Sequence, residues 1–116
     1  MTGYIQVVTT VANEEEAQRL ALQLVERRLA ACVQVTGPVA STYWWQGEIE
    51  TATEWRCTIK SRADLYPQLE AAVRQLHSYH TPEILCSPVT AGNPAYLAWL
   101  DAELRPAEHP NEPAEG

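Results

Sequence analysis

Three cysteines are all that the chain carries, and no two of them stand in a C-x-x-C pair. So odd and scattered a set excludes a zinc-ribbon spacing and a disulfide framework. Cys32, Cys57 and Cys86 each lie in an apolar, strand-like run and are expected as small buried thiols. Positive charge is scarce as well: 8 Lys and Arg stand against 15 Asp and Glu, a formal net charge of −7. A surface with that balance repels phosphate backbones at long range, which argues against a general nucleic-acid binder and against a membrane-surface protein. No stretch approaches the roughly 20 apolar residues of a membrane span. Met1-Thr2-Gly3-Tyr4 opens without a basic region followed by an apolar run, so the expected compartment is the cytoplasm. There is no internal repeat, and 116 residues suffice for one two-layer core but not two.

What is present reads as alternating strands and helices. Ile5-Gln6-Val7-Val8-Thr9-Thr10 is rich in β-branched residues and predicts a first strand. Asn13 follows as a helix cap, with Glu16 three residues on as its capping-box partner and Glu14 to Glu16 at the positive end of the helix dipole. Ala17, Leu20, Ala21, Leu24 and Val25 then share one face of an amphipathic helix over residues 14 to 29. Residues 31 to 45 predict a long strand, interrupted at Gly37-Pro38, where the missing backbone donor points to a bulge or an edge position. Gln46-Gly47-Glu48 forms the turn, and Ile49 to Ser61 returns as the partner strand. A second helix carries Leu65, Leu69, Ala72, Val73 and Leu76. Of its possible caps, Ser61 and Asp64, the position of Pro67 favours Asp64. Residues 77 to 82 link to a fourth strand at 83 to 89, after which Asn93 and Pro94 open a short final helix with Tyr96, Leu97, Trp99 and Leu100. This order, β-α-β-β-α-β plus a C-terminal helix, is that of an α+β ferredoxin-like sandwich over residues 1–105. Residues 106–116 carry prolines among glutamates and predict a disordered acidic tail.

The lengths do not match, and the mismatch implies a partner. Strands of 13 to 15 residues span about 45 Å, whereas the helix above them reaches only about 24 Å. The overhang is where Tyr43, Trp44, Trp45 and Trp55 gather, an aromatic surface that a second copy of the chain is expected to cover. A ring of three identical chains, each lending its long edge strand to the next, also closes the exposed sheet edges.

A ferredoxin-like fold does not settle function. Thr9-Thr10-Val11-Ala12-Asn13 after the first strand has neither the paired cysteines of a copper chaperone nor the glycine and arginine of a phosphate-cradling acylphosphatase loop. The third strand, Glu54-Trp55-Arg56-Cys57-Thr58-Ile59-Lys60, lacks the aromatic, basic signature of an RNA-recognition domain. Five ordered segments are more informative: Leu29-Ala30-Ala31-Cys32, Tyr43-Trp44-Trp45-Gln46-Gly47-Glu48, Ile59-Lys60-Ser61, Tyr79 with Pro82-Glu83-Ile84, and Asn93-Pro94-Ala95-Tyr96-Leu97-Ala98-Trp99. Together, across about residues 4 to 105, they resemble the CutA family of divalent-cation tolerance proteins.

The resemblance implies a homotrimer linked to tolerance of copper and other divalent cations, similar in architecture to PII signalling proteins. It also implies a cleft between subunits lined by Cys32, Trp45, Lys60, Tyr79, Glu83 and Trp99. Two positions depart from the pattern. The family's H-P-Y-E reads His77-Ser78-Tyr79-His80 here, and the first-strand cysteine of some members has its counterpart in Thr9. The metal ligands expected for Cu(II) are therefore His77, carried over from the family, and His80, an imidazole new to this chain. Lys60 is placed to face Glu83 or a bound anion. Glu83 with His77 or His80 is a conceivable acid/base pair, but no nucleophile, cofactor motif or metal cage accompanies it, so the chain is not read as an enzyme. Two readings stand: a cation-tolerance trimer, and a PII-like module that binds a small anionic ligand and signals to a protein partner.

Overall fold

A computed structural model describes residues 2–107. The acidic tail expected over residues 106–116 lies almost wholly outside the described residues. Seven main elements follow in order: β1 (Tyr4–Val11), α1 (Glu14–Glu26), β2 (Cys32–Trp45), β3 (Glu48–Arg62), α2 (Tyr66–Leu76), β4 (Leu85–Pro88) and α3 (Pro94–Glu103). The four strands form one antiparallel sheet in the order β2-β3-β1-β4, the ferredoxin-like arrangement read from the sequence.

The core lies between one face of the sheet and the helices. Ile5, Val7 and Val11 of β1 and Cys57 and Ile59 of β3 meet Ala17, Leu20 and Leu24 of α1 and Leu69, Ala72 and Val73 of α2. A smaller cluster of Leu65, Leu100 and Leu104 with Tyr4 and Ala31 seats α3. Arg62 ties this corner together, pairing with Asp64 and Asp101 and donating to the Arg105 carbonyl.

Several boundaries differ from the sequence reading. Helix α1 opens as expected, with the Asn13 side chain accepting from the Glu16 N–H at 2.8 Å, but it stops at Glu26 and not near 29. Arg28 there adopts φ 57, and the Leu29 and Ala30 N–H groups both return to the Leu24 carbonyl. Asp64 does not cap α2: a short 3-10 turn, Ala63–Leu65, precedes the helix, and the Asp64 carboxylate is held by the Arg62 guanidinium instead. Strand β4 spans only Leu85–Pro88, and just beyond it Val89 still donates to the Tyr4 carbonyl at 2.9 Å and accepts from the Thr2 N–H at 3.2 Å. Of the three thiols expected to be buried, Cys57 is, Cys32 is half-buried and Cys86, on the short edge strand β4, is exposed.

The long hairpin is as predicted. Gln46 and Gly47 both have positive φ, 50 and 84, the two-residue turn whose twist matches that of the flanking strands. The register slips between Thr36 and Val39, so Gly37-Pro38, joined by a cis peptide bond, forms the expected bulge on an edge strand. A Cβ at Gly37 would come within 2.5 Å of the Trp55 ring, which lies directly on the bulge. Beyond Trp55 the hairpin leaves the helical layer. Trp44 is 72% exposed, Ile49 63% and Trp45 53%, and the chain extends 54 Å along its longest axis but only 25 Å along its shortest.

Candidate functional site

The predicted site residues stand at three heights along the hairpin. At the neck, where β1 ends, the segment after α2 folds back onto the sheet. His77 is buried, its Nε2 lying 2.8 Å from the Thr10 carbonyl oxygen and its Nδ1 accepting from the Tyr79 N–H at 3.1 Å. That pattern assigns a neutral ring with its proton on Nε2. Ser78 donates twice to the buried Glu16 carboxylate, through its N–H and its hydroxyl, each at 3.0 Å. Tyr79 donates to the Glu54 carboxylate at 2.8 Å. Burial first, and the bonded Glu54 carboxylate next, hold the Tyr79 hydroxyl well above the usual phenol pKa.

At the base, Cys32 and Lys60 are cross-strand partners, and the Lys60 ammonium lies 5.7 Å from the centre of the Tyr96 ring, which in turn contacts Trp99 at 5.6 Å. Beside Trp99 a recess of about 330 Å³ runs between α1 and α3, rimmed by the Arg28–Glu103 pair. At the tip, Trp45 pairs with Glu48, twelve residues along β3 from Lys60 or about 40 Å. Within one chain, then, Cys32, Lys60 and Trp99 gather at the base, Tyr79 sits at the neck and Trp45 is remote. Glu83 and His80 are exposed beside the neck, His80 on a second recess of about 540 Å³ with Arg74 and Gln75. Within one chain Lys60 lies over Tyr96 and forms no ion pair with Glu83 among the described residues, since β1 stands between β3 and the chain leading into β4.

Among the described residues the donors of a single chain do not fit a metal ion. Both nitrogens of His77 are occupied, and Thr9 carries a hydroxyl, not a soft thiolate; that hydroxyl is buried without a hydrogen-bond partner among the described residues. Among the described residues no three His, Cys, Asp or Glu side chains gather closely enough to hold an ion. Sequence reasoning missed Glu16 as the anchor of Ser78 and Glu54 as the partner of Tyr79; the only signal was Glu16 itself, marked for a capping role. Tyr96, the ring beneath Lys60, belongs to the final helix and to a family segment in the sequence but is not among the site residues expected there.

An antiparallel sheet in the order β2-β3-β1-β4 with two helices on one face and a long uncovered hairpin defines a small α+β domain of the ferredoxin-like class. Within that class the sequence is specific. The model of a family described as CutA1 divalent ion tolerance protein matches residues 5–103. The Divalent-cation tolerance protein CutA of Thermus thermophilus is 43% identical over 94 residues, 81% of this chain and 91% of that protein. Its namesake from Archaeoglobus fulgidus is 39% identical over 95 residues, 82% and 92% of the two chains. The crystal structure of CutA1 from Oryza sativa superposes with a TM-score of 0.87 at 37% identity, covering 90% of this chain and 98% of that one. The chain belongs to the CutA1 divalent ion tolerance family. Relatives bear names for different compartments, one chloroplastic and one periplasmic. Among the described residues no helix is long and apolar enough to cross a membrane.

Proposed function

We propose that the protein acts as a homotrimeric, non-enzymatic divalent-cation tolerance protein whose clefts lie between chains and take a divalent cation, Cu(II) foremost. One observation carries this reading: Cys32, Trp45, Lys60, Tyr79, Glu83 and Trp99 are spread over about 40 Å of a single chain, so a cleft made of them draws on more than one copy. Three copies, each offering its long β2 edge to the next, close the sheet edges that one copy leaves open. His80, exposed on the neck segment, is the imidazole available to an ion, and the remaining ligands come from a neighbouring chain. His77 orients that segment from below. Unpaired thiols suit the cytoplasm.

Light scattering at micromolar concentration is expected to report about three chains per particle, and a monodisperse particle of 12.9 kDa would refute the assembly. Calorimetry with Cu(II) on the native chain and on His80→Ala tests the cation: the substitution is expected to weaken binding, and an unchanged isotherm removes His80 from the site.

A second reading has its own observation. The Lys60 ammonium over Tyr96, whose ring contacts Trp99, makes a cationic, aromatic shelf suited to a small anionic ligand, as a PII-like module that signals to a protein partner would need. A thermal-shift screen of nucleotides and organic acids separates it from the first.

A further inference from the structure

We propose that the recess on the flank of α2 is a binding site for a small molecule bearing carboxylate or phosphate oxygens, which Arg74, Gln75 and His80 hold through their N–H groups. The recess measures about 540 Å³, and Ala71 and Pro82 complete its lining. A hollow of that size takes a small organic anion and leaves a lone inorganic ion loosely held. The site goes beyond the cation reading and does not need it, since neither a guanidinium nor an amide N–H ligates a metal. Ala71, Arg74 and Gln75 stand at i, i+3 and i+4 of α2, so they share one flank of the helix, and the short Ala71 side chain leaves the space beside the longer ones open.

The facing wall comes from the neck segment. His77, Ser78 and Tyr79 are each bonded inward, to the Thr10 carbonyl, the Glu16 carboxylate and the Glu54 carboxylate, so the backbone that carries His80 is fixed before any ligand arrives. Arg74, Gln75 and His80 are exposed, and their side chains form no hydrogen bond or ion pair among the described residues. Elsewhere Arg28 and Arg62 are paired with carboxylates. In a chain of net charge −7, three N–H donors around one hollow with no carboxylate in its lining are an exception, and an anion accounts for it. The guanidinium offers a planar fork matched to carboxylate and phosphate oxygens, to which a neutral imidazole and an amide each add an N–H. Glu70 precedes the lining and Glu83 follows it, and neither pairs with Arg74 or His80 among the described residues. Arg74 also offsets the negative end of the α2 dipole, a role that calls for neither Gln75 nor His80. The recess lies on the helical side of the sheet, whereas Lys60, next in β3 to the buried Ile59, projects from the other side. This site and the Lys60 shelf are therefore separable by substitution.

Calorimetry on the full chain, freed of metal with a chelator that is then removed, tests the site with citrate and inorganic phosphate as separate titrants. The proteins compared are the native chain, Arg74→Gln, His80→Ala and Lys60→Ala, and thermal midpoints confirm that each variant folds. Citrate is expected to bind the native chain and Lys60→Ala alike, to bind Arg74→Gln at least about tenfold more weakly, and to be weakened less by His80→Ala. Binding to the native chain is expected to fall as salt rises. Phosphate is expected to bind more weakly than citrate; equal binding keeps the site and assigns it to an inorganic oxyanion. No heat from either titrant at millimolar concentration, or an Arg74→Gln isotherm equal to the native one, overturns the site. Binding lost in Lys60→Ala and kept in Arg74→Gln moves the anion to the shelf and overturns it as well. A parallel Cu(II) titration keeps the two proposals apart: Arg74→Gln is expected to leave the copper isotherm unchanged, so the anion site and the cation site stand or fall separately.

Discussion

Strand β3 is two strands in one. From Cys57 to Ser61 every second side chain is buried beneath α1 and α2, while from Glu48 to Thr53 none is. Composition does not separate the halves, since Ile49 and Ile59 lie on the same topological face. What changes is the layer above them: α1 has 13 residues, about 20 Å, against about 50 Å for the 15 residues of β3. Hydrogen bonds to β2 continue the full length, so the distal half is a sheet by its backbone and a surface by its side chains. A two-stranded ribbon without a cover is marginal in water, so the distal half is the part of the described chain that the proposed assembly would stabilise most.

The comparison is easiest to break with the two isoleucines. Ile59→Ala is expected to cost about 2 to 5 kcal/mol, the range for truncating a fully buried aliphatic side chain, read from the denaturant midpoint. Next comes the neck. Tyr79→Phe leaves the Glu54 carboxylate without its donor and is expected to cost about 1 to 3 kcal/mol. The same substitution also acts at alkaline pH. Because the folded-state pKa of Tyr79 is raised, the unfolded chain releases this proton near pH 10 while the folded chain keeps it. Native stability therefore falls as pH climbs past about 10, and Tyr79→Phe should flatten that slope; an unchanged slope would show that Tyr79 does not cause it. Gly37→Ala presses a methyl group into the Trp55 ring at the boundary between the halves and is expected to cost about 1 to 3 kcal/mol. Ile49→Ala closes the series at about 0.5 kcal/mol or less in chain diluted below its association constant. A cost at that dilution equal to that of Ile59→Ala would end the distinction between the halves. The thiols repeat the contrast in rates: Cys86 should react first with a thiol reagent and Cys57 last, since burial, helped by Glu16, pushes its pKa up to about 11.

The sequence carried the fold because each element has a local cause. Asn13 caps, Gly47 turns, Gly37-Pro38 bulges, and apolar residues recur at the spacing of the element that they belong to. Asp64 failed as a cap because Arg62, two residues away, competes for the same carboxylate. The site was less legible because its bonds join distant positions. Glu16 binds Ser78 from 62 residues away and Glu54 binds Tyr79 from 25, and no periodicity announces either. Nor does the list Cys32, Trp45, Lys60, Tyr79, Glu83 and Trp99 disclose that its members stand at different heights. That appears only once the register of β2 on β3 is known.

The placement of the four tryptophans decides what the protein's intrinsic fluorescence reports. None lies in the central core: Trp44 and Trp45 stand at the tip, Trp55 rests half-buried on the bulge, and Trp99 lines the recess beside α1. Emission from the two tip indoles responds to what covers them more than to whether their own domain is folded. Dilution should shift the spectrum to longer wavelength while the far-ultraviolet circular dichroism stays constant, so unlabelled protein carries a built-in optical gauge of its contacts, separate from the gauge of its fold.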